Sequence, residues 1–157
     1  MTHSIIIQHT IDKHLAPSSI QLRKWAKTAL KHASKPQEVT IRLVDREEIT
    51  QLNLTYRHKN DATNVLSFPI QIPEAVKFSK TPLGDVVICA DVVNQEAQEQ
   101  SKSIDAHWAH MVIHGIFHLM GHDHQLEEEA LRMEALEIET LKQLGFANPY
   151  ETRDKPL

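Results

Sequence analysis

Apolar and polar positions are distributed differently in the two halves of the chain, which predicts strands mainly early and helices mainly late. Segments with period-two alternation or continuous apolar character predict four strands, at residues 5–8, 39–44, 64–68 and 84–90. Apolar residues at helical spacing predict five helices, which run from Ser18 or Ser19 to about residue 33, from Asp45 through Leu54, from Asp91 onward, over 104–120 and over 126–144. The segments 56–61 and 70–82 are polar or contain proline, and we expect exposed turns and loops there.

Signals at the helix ends support this division. Asp45 with Glu48 three residues later has the spacing of a capping box, and Gly121 and Gly145 follow the last two helices where a left-handed residue ends a helix. The pattern therefore predicts an α+β fold, a small mixed sheet of about four strands packed with about five helices. The length of 157 residues suits one domain, residues 1–157.

Composition narrows the class of protein. Apolar residues make up 41% of the chain, enough for a hydrophobic core, and no apolar run approaches the twenty or so residues of a membrane span. The first residues lack the basic and apolar regions of a secretory signal. Cys89, the single cysteine, lies in an apolar strand and is expected to be buried. These features predict a cytoplasmic protein without a membrane partner.

The net charge of −4 conceals an asymmetry along the chain. Residues 1–60 carry a net charge of +5, whereas residues 85–157 carry −9. A basic half can approach a polyanion while the acidic half stays solvated. Lopsided charge is common in proteins with no such partner, so this feature alone does not identify nucleic acid.

Histidines are concentrated in one predicted helix and the turn after it. Six of the eleven histidines fall between residues 107 and 124. His114 and His118 are four residues apart, so a helix places them one turn apart on the same face, with about 6 Å between the bases of their side chains. Gly121 can turn the chain back and bring His124 towards them. The sequence therefore predicts a metal site at the end of this helix with His114, His118 and His124 as ligands.

Three protein ligands leave a fourth tetrahedral position for water or substrate, as in catalytic zinc sites. Imidazoles suit zinc, although copper, nickel and iron also bind them, so other divalent transition metals remain possible.

His107 and His110 lie on about the same helical face as His114. Lining of a cleft or support of the ligands is as compatible with the sequence as simple packing. We expect His122 to face solvent or to support the site, and Asp123 to orient an imidazole, accept a proton or cap the turn.

The ligand spacing H-x-x-x-H-x-x-G-x-x-H is that of metzincin peptidases, which carry glutamate as general base directly after the first histidine. Gly115 occupies that position here, which argues against peptide hydrolysis. Phosphodiester cleavage instead requires a cation near the metal to stabilise developing charge, and the planar arginine fork suits this purpose. Arg57 offers such a cation, although its polar segment on composition alone is more typical of a solvated loop.

Several motifs together resemble one family. The segment HGIFHLMGHDH, residues 114–124, resembles the H-G-x-x-H-L-x-G-x-D-H signature of the YbeY family of bacterial rRNA maturation factors. The resemblance continues through residues 56–58, 62–69, 84–85, 107–110 and 144–146, and so covers nearly the whole chain. Two positions depart from the family pattern: His122 stands where tyrosine is common and Ala62 where proline is usual.

This resemblance implies a single-strand-specific, zinc-dependent endoribonuclease of α+β fold that matures the 3′ end of 16S rRNA and acts in late ribosome quality control. It implies zinc ligands at His114, His118 and His124 and an important arginine at Arg57. The implied partners are single-stranded RNA, chiefly small-subunit rRNA, the ribosome or its small subunit, and assembly factors. Two alternatives remain: a ribosome-associated assembly factor with a structural zinc, and another zinc-dependent hydrolase.

Overall fold

A mixed sheet of four strands lies at the centre of the computed structural model, which describes residues 2–73, 75–122 and 125–151. The strands are β1 (Ser4–His9), β2 (Gln37–Val44), β3 (Val65–Pro69) and β4 (Thr81–Cys89), in the spatial order β1-β2-β4-β3. β1, β2 and β4 run parallel, and β3 is antiparallel to β4. The sheet confirms the predicted mixed pairing.

Five α-helices fall within these described ranges, as the sequence predicted. They are α1 (Ser19–Leu30), α2 (Arg46–Arg57), α3 (Ala90–Glu99), α4 (Ile104–Leu119) and α5 (Glu127–Gln143). The side chains of Ser18 and Asp45 cap the first turns of α1 and α2 by accepting main-chain N–H bonds. For α1 and α2 the apolar pattern and the side-chain cap agree, so these parts of the α+β fold follow from local signals. In the described part of the chain, no helix is long and apolar enough to cross a membrane.

Helix α4 is the central element of the core. It contacts β3, β4 and the helices α1, α3 and α5. From His107 to Leu119 every residue is buried except His114 and His118. The burial of large apolar side chains such as Trp108 and Phe117 stabilises the fold by about 1.5–3 kcal/mol each before entropy is counted. The packing of α4 therefore fixes the two partly buried histidines on a rigid element.

The opposite face of the sheet is covered by α2, which buries Ile49 against a smaller cluster that includes Val44 and Leu66. Cys89 belongs to this cluster and is fully buried, as expected. Burial raises the pKa of its thiol, which keeps the side chain in its neutral form at neutral pH.

Helix α4 ends as the sequence predicted. Gly121 has φ of 96°, the N–H of Gly121 bonds to the carbonyl of His118 at 3.1 Å, and the N–H of His122 bonds to that of Phe117 at 3.0 Å. This pairing is a Schellman motif, in which a left-handed residue lets the last carbonyls be satisfied. His124 and Asp123 lie outside the described residues.

Two predicted boundaries were wrong. Helix α2 continues to Arg57 rather than ending near Leu54, so the first part of segment 56–61 is helical. The last turn of α2 faces solvent, and an exposed helical turn has the same polar composition as a loop. His58 then ends the helix with φ of 60°, without the glycine that would have marked this end. The predicted loop 70–82 is also shorter, because β4 begins at Thr81.

Candidate metal centre

His114 and His118 lie side by side on the partly buried side of α4 that borders a cleft. Their ring centroids are 4.6 Å apart, and both side chains line one cleft of about 820 Å³. The structure therefore brings together two of the three predicted ligands. The third, His124, is outside the described residues, so the full ligand set stays a prediction.

Arg57 lines the same cleft as the two histidines. Its Nη2 donates a hydrogen bond of 3.1 Å to the main-chain carbonyl of Ser67 on β3. The position of Arg57 in the last turn of α2, rather than in a loop, sets its guanidinium on a regular element. The cation and the imidazole pair thus face a common space, the arrangement required of a site for an anionic substrate.

A buried carboxylate lies behind His114. Glu137 on α5 is 0% exposed, and its Oε2 is 3.1 Å from His114 Nδ1. Its Oε1 is 2.6 Å from His110 Nε2 and accepts a hydrogen bond of 2.7 Å from the Tyr150 hydroxyl. His110, His114 and Glu137 form a cluster whose potential ligand atoms all lie within 4.8 Å of one another, and this cluster could hold a metal ion.

The surroundings of Glu137 keep it ionised. Burial alone would raise its pKa, but the hydrogen bonds and electrostatic interactions with His110 and His114 outweigh burial and lower the pKa to about 2. Tyr150 shows the complementary effect: burial, followed by the hydrogen bond to Glu137, raises the pKa of the phenol and keeps it a donor. The carboxylate therefore acts as an acceptor for its neighbours.

His107 and His110, whose roles the sequence left open, have different surroundings. His110 reaches Glu137 and through it the imidazole of His114. His107 instead contacts Glu96, with 3.0 Å between Nε2 and Oε1, while the side-chain amide of Asn64 donates to the same carboxylate. Burial lowers the pKa of His107, more than the adjacent Glu96 raises it. His107 thus connects α4 to α3, and His110 supports the candidate site.

Gly115 faces the sheet rather than the cleft. A Cβ at this position would lie 2.5 Å from Val86 Cγ1 and 3.3 Å from Val65 Cγ2. The position that carries a glutamate base in metzincins is therefore packed against β4 and β3, with no space for a carboxylate. This packing gives a structural reason for the glycine and strengthens the argument against a peptidase.

Both departures from the family pattern lie at the cleft: Ala62 and His122 are among its lining residues. His122 is partly buried, and the centroid of its ring lies 5.6 Å from that of the Phe117 ring. The sequence predicted that His122 faces solvent or supports the site. The structure places it at the wall of the cleft.

Sequence reasoning missed the residues that support the site, above all Glu137, Tyr150 and Ser67. A signal for Glu137 was present: it shares a face of α5 with the buried Met133 and Leu141, at i, i+4 and i+8. A carboxylate on the buried face of an amphipathic helix must be paired. The sequence does not show its partner, because the contacting histidine is 23 residues away along the chain.

The fold and the site define a class of protein: a histidine-rich α+β domain with a candidate metal site and an arginine at one cleft. A family model described as Endoribonuclease YbeY matches residues 7–145. The chain belongs to the YbeY family.

Individual relatives are similar over most of their length. The protein named Endoribonuclease YbeY from Nitrosococcus oceani is 48% identical over 152 residues, which cover 97% of this chain and 99% of that protein. Its namesake from Pseudomonas syringae pv. syringae is 54% identical over 144 residues, 90% of this chain and 86% of that protein. The solution structure of TM1509 from Thermotoga maritima has the same fold, with a TM-score of 0.57, 24% identity, and coverage of 94% of this chain and 99% of that one.

Proposed function

We propose that this protein is a metal-dependent endoribonuclease that cleaves single-stranded RNA in the cytoplasm, in the 3′-end maturation of 16S rRNA and in late ribosome quality control. One observation carries the proposal: Arg57 and the pair His114–His118 line the same cleft. Membership in the YbeY family and relatives named as endoribonucleases at 48% and 54% identity support an RNA substrate. The ribosome, its small subunit and assembly factors are the partners that this role implies.

The side chains present fit a zinc ion. His114 and His118 offer two imidazoles one turn apart on a buried helix, and His124, three residues after Gly121 in the sequence, is the proposed third ligand. A nitrogen-donor set of this kind suits zinc, with other divalent transition metals as competitors. When bound, such an ion supplies Lewis acidity for phosphodiester cleavage.

Arg57 is the residue proposed to hold the scissile phosphate. A guanidinium has five N–H donors, so the hydrogen bond from Nη2 to the Ser67 carbonyl orients the fork, and the remaining N–H groups are proposed to bind two phosphate oxygens. Charge-assisted bonds of this kind strengthen as negative charge grows on the transferring phosphoryl group. Arg57 therefore positions the substrate and stabilises the transition state.

The test uses purified protein, a defined single-stranded fragment of small-subunit rRNA, and the variants His118→Ala and Arg57→Glu. We expect both substitutions to abolish cleavage without loss of fold, whereas Arg132→Gln, at an exposed position on α5, leaves cleavage unchanged. Equal cleavage by all four proteins would point to a contaminating nuclease and overturn the proposal. Bound zinc with ribosome association but no cleavage would favour an assembly factor with a structural metal.

Analysis of product ends distinguishes the nucleophile. Attack by water leaves 5′-phosphates, whereas attack by the 2′-hydroxyl of the RNA leaves 2′,3′-cyclic phosphates. A DNA strand of the same sequence lacks the 2′-hydroxyl and is the matched control for attack by that group.

A further inference from the structure

We propose that Glu137 is a positioning residue for the metal centre: its buried carboxylate holds the Nδ1–H of His114, so that Nε2 is the nitrogen presented to the ion. This inference rests on the proposed function, because it assumes that His114 is a ligand. It assigns a role to a side chain on α5, which lies outside the histidine motif.

The two carboxylate oxygens of Glu137 contact different partners. Oε1 receives the Tyr150 hydroxyl at 2.7 Å and lies 2.6 Å from His110 Nε2, whereas Oε2 is 3.1 Å from His114 Nδ1. A carboxylate accepts hydrogen bonds, so each ring nitrogen that faces it must carry a proton. A neutral imidazole with its proton on Nδ1 has its lone pair on Nε2. The contact therefore selects the tautomer that can bind a cation through Nε2.

The same cluster could instead hold an ion directly between His110, His114 and Glu137. Its distances argue against this. Two ligand atoms at about 2.0–2.1 Å from a tetrahedral zinc lie about 3.3 Å from each other. His110 Nε2 and Glu137 Oε1 are only 2.6 Å apart, and Tyr150 donates to that same oxygen. This geometry is that of a charge-assisted hydrogen bond.

Burial makes the carboxylate a rigid support. The side chain of Glu137 is 1% exposed, whereas that of His114 is 22% exposed. The carboxylate is thus fixed in the core between α4 and α5, and the imidazole that it contacts reaches the cleft. Carboxylates that orient a ligating histidine in this way raise its basicity, and their loss typically weakens metal binding about 10–100-fold.

The experiment measures the zinc affinity of the full-length protein, stripped of metal, by competition with a chromophoric chelator. Glu137→Gln keeps the size of the side chain but presents an amide, and we expect zinc affinity to fall about 10–100-fold while near-ultraviolet circular dichroism shows an intact fold. Glu139→Gln, at an exposed position on the same helix, is the matched control and should bind as tightly as the wild type. An affinity of Glu137→Gln within twofold of the wild type would overturn the proposal.

The variant Tyr150→Phe distinguishes the positioning role of Glu137 from a merely structural one. It removes a donor to Glu137 but leaves the contact of Glu137 with His114. We expect this variant to lose thermal stability and keep zinc affinity within threefold of the wild type. An equal loss of affinity in Tyr150→Phe and Glu137→Gln would mean that the cluster acts only through stability, which overturns the positioning role.

A direct observation does not depend on any variant folding. Long-range ¹H–¹⁵N correlation spectra of the metal-free wild type should show His114 protonated on Nδ1, and protonation on Nε2 would overturn the proposal. Failure of the proposed function gives a different result from failure of the positioning role. In that case the wild type binds no zinc, or His118→Ala binds zinc as tightly as the wild type. If His110→Asn abolishes binding while His118→Ala does not, Glu137 is itself a ligand and the positioning role is wrong.

Discussion

The hydroxyl of Ser67 donates a buried hydrogen bond of 2.9 Å to the main-chain carbonyl of Gly115, the residue that follows His114. The main-chain carbonyl of Ser67 accepts the bond from Arg57. One residue of β3 therefore connects the helix that carries the imidazoles to the side chain that carries the positive charge. The relative position of the two parts of the cleft depends on this strand.

Ser67→Ala should lower the free energy of unfolding by about 0.5–1.5 kcal/mol, the usual net value of one hydrogen bond. Cleavage should fall further than the small loss of folded protein explains, because the anchor between β3 and α4 is lost. Urea unfolding and cleavage rates at a temperature where the variant is fully folded measure the two effects. Ser34→Ala, at an exposed position, is the control, and equal stability of the two variants would contradict the prediction.

Gly115→Ala should destabilise the protein by about 1–3 kcal/mol, the usual cost of overpacking a core. The reason is the 2.5 Å between the added Cβ and Val86 Cγ1. Val86→Ala removes that methyl group, so the double variant should be more stable than the sum of the two single effects predicts. Strictly additive unfolding free energies in this cycle would show that the contact is not the cause.

Arg57→Lys keeps the positive charge but loses the planar fork, and we expect kcat/KM for RNA cleavage to fall on the order of 100-fold. The cause is the loss of paired donors to the phosphate, not a change in fold. Steady-state cleavage of a short single-stranded RNA measures the effect, with Arg132→Lys on the exposed face of α5 as the matched control. A change below threefold for Arg57→Lys would mean that charge alone is required.

The stability of the wild type should fall as the pH drops below about 6.5, in part because of His107. Burial lowers the pKa of His107 in the folded chain from the value of 6.5, so below that value the unfolded chain binds more protons than the folded one. The contribution of His107 is fully present above pH 6.5 and declines as the pH falls towards the lowered pKa. One proton corresponds to at most about 1.4 kcal/mol per pH unit.

His107→Gln can still donate to Glu96 but cannot titrate, so the stability difference between wild type and variant should shrink as the pH falls from 7.5 to 5.5. Urea midpoints across this range measure the difference. His14→Gln, at an exposed position, should follow the wild-type profile. A difference that stays constant with pH would contradict the assignment to His107.

Local signals were sufficient to predict most of the fold. The apolar run of α4 and the positive φ of Gly121 both follow from residue type and spacing, and the structure confirms them. The end of α2 was missed because His58 takes a left-handed conformation without a glycine to mark it. Part of the site was predictable from local signals too, because helical periodicity places His114 next to His118.

The contacts that complete the site are not local. Glu137 is 23 residues from His114, and Ser67 is 48 residues from Gly115, so no spacing rule connects them. The cleft shared by Arg57 and the imidazoles likewise depends on how α2 packs on the sheet, and only the resemblance to a family had indicated the importance of this arginine. The role of His124 as a ligand stays a prediction.

The burial of α4 from His107 to Leu119 has a kinetic consequence for metal uptake. Because its other side chains are held by the core, the spacing of His114 and His118 is already set before an ion arrives. For these two imidazoles, the rate of zinc binding should therefore rise linearly with free zinc and should not reach a plateau set by refolding. The pair would in this respect differ from the ligands of a zinc finger, which come together only when the metal folds the chain.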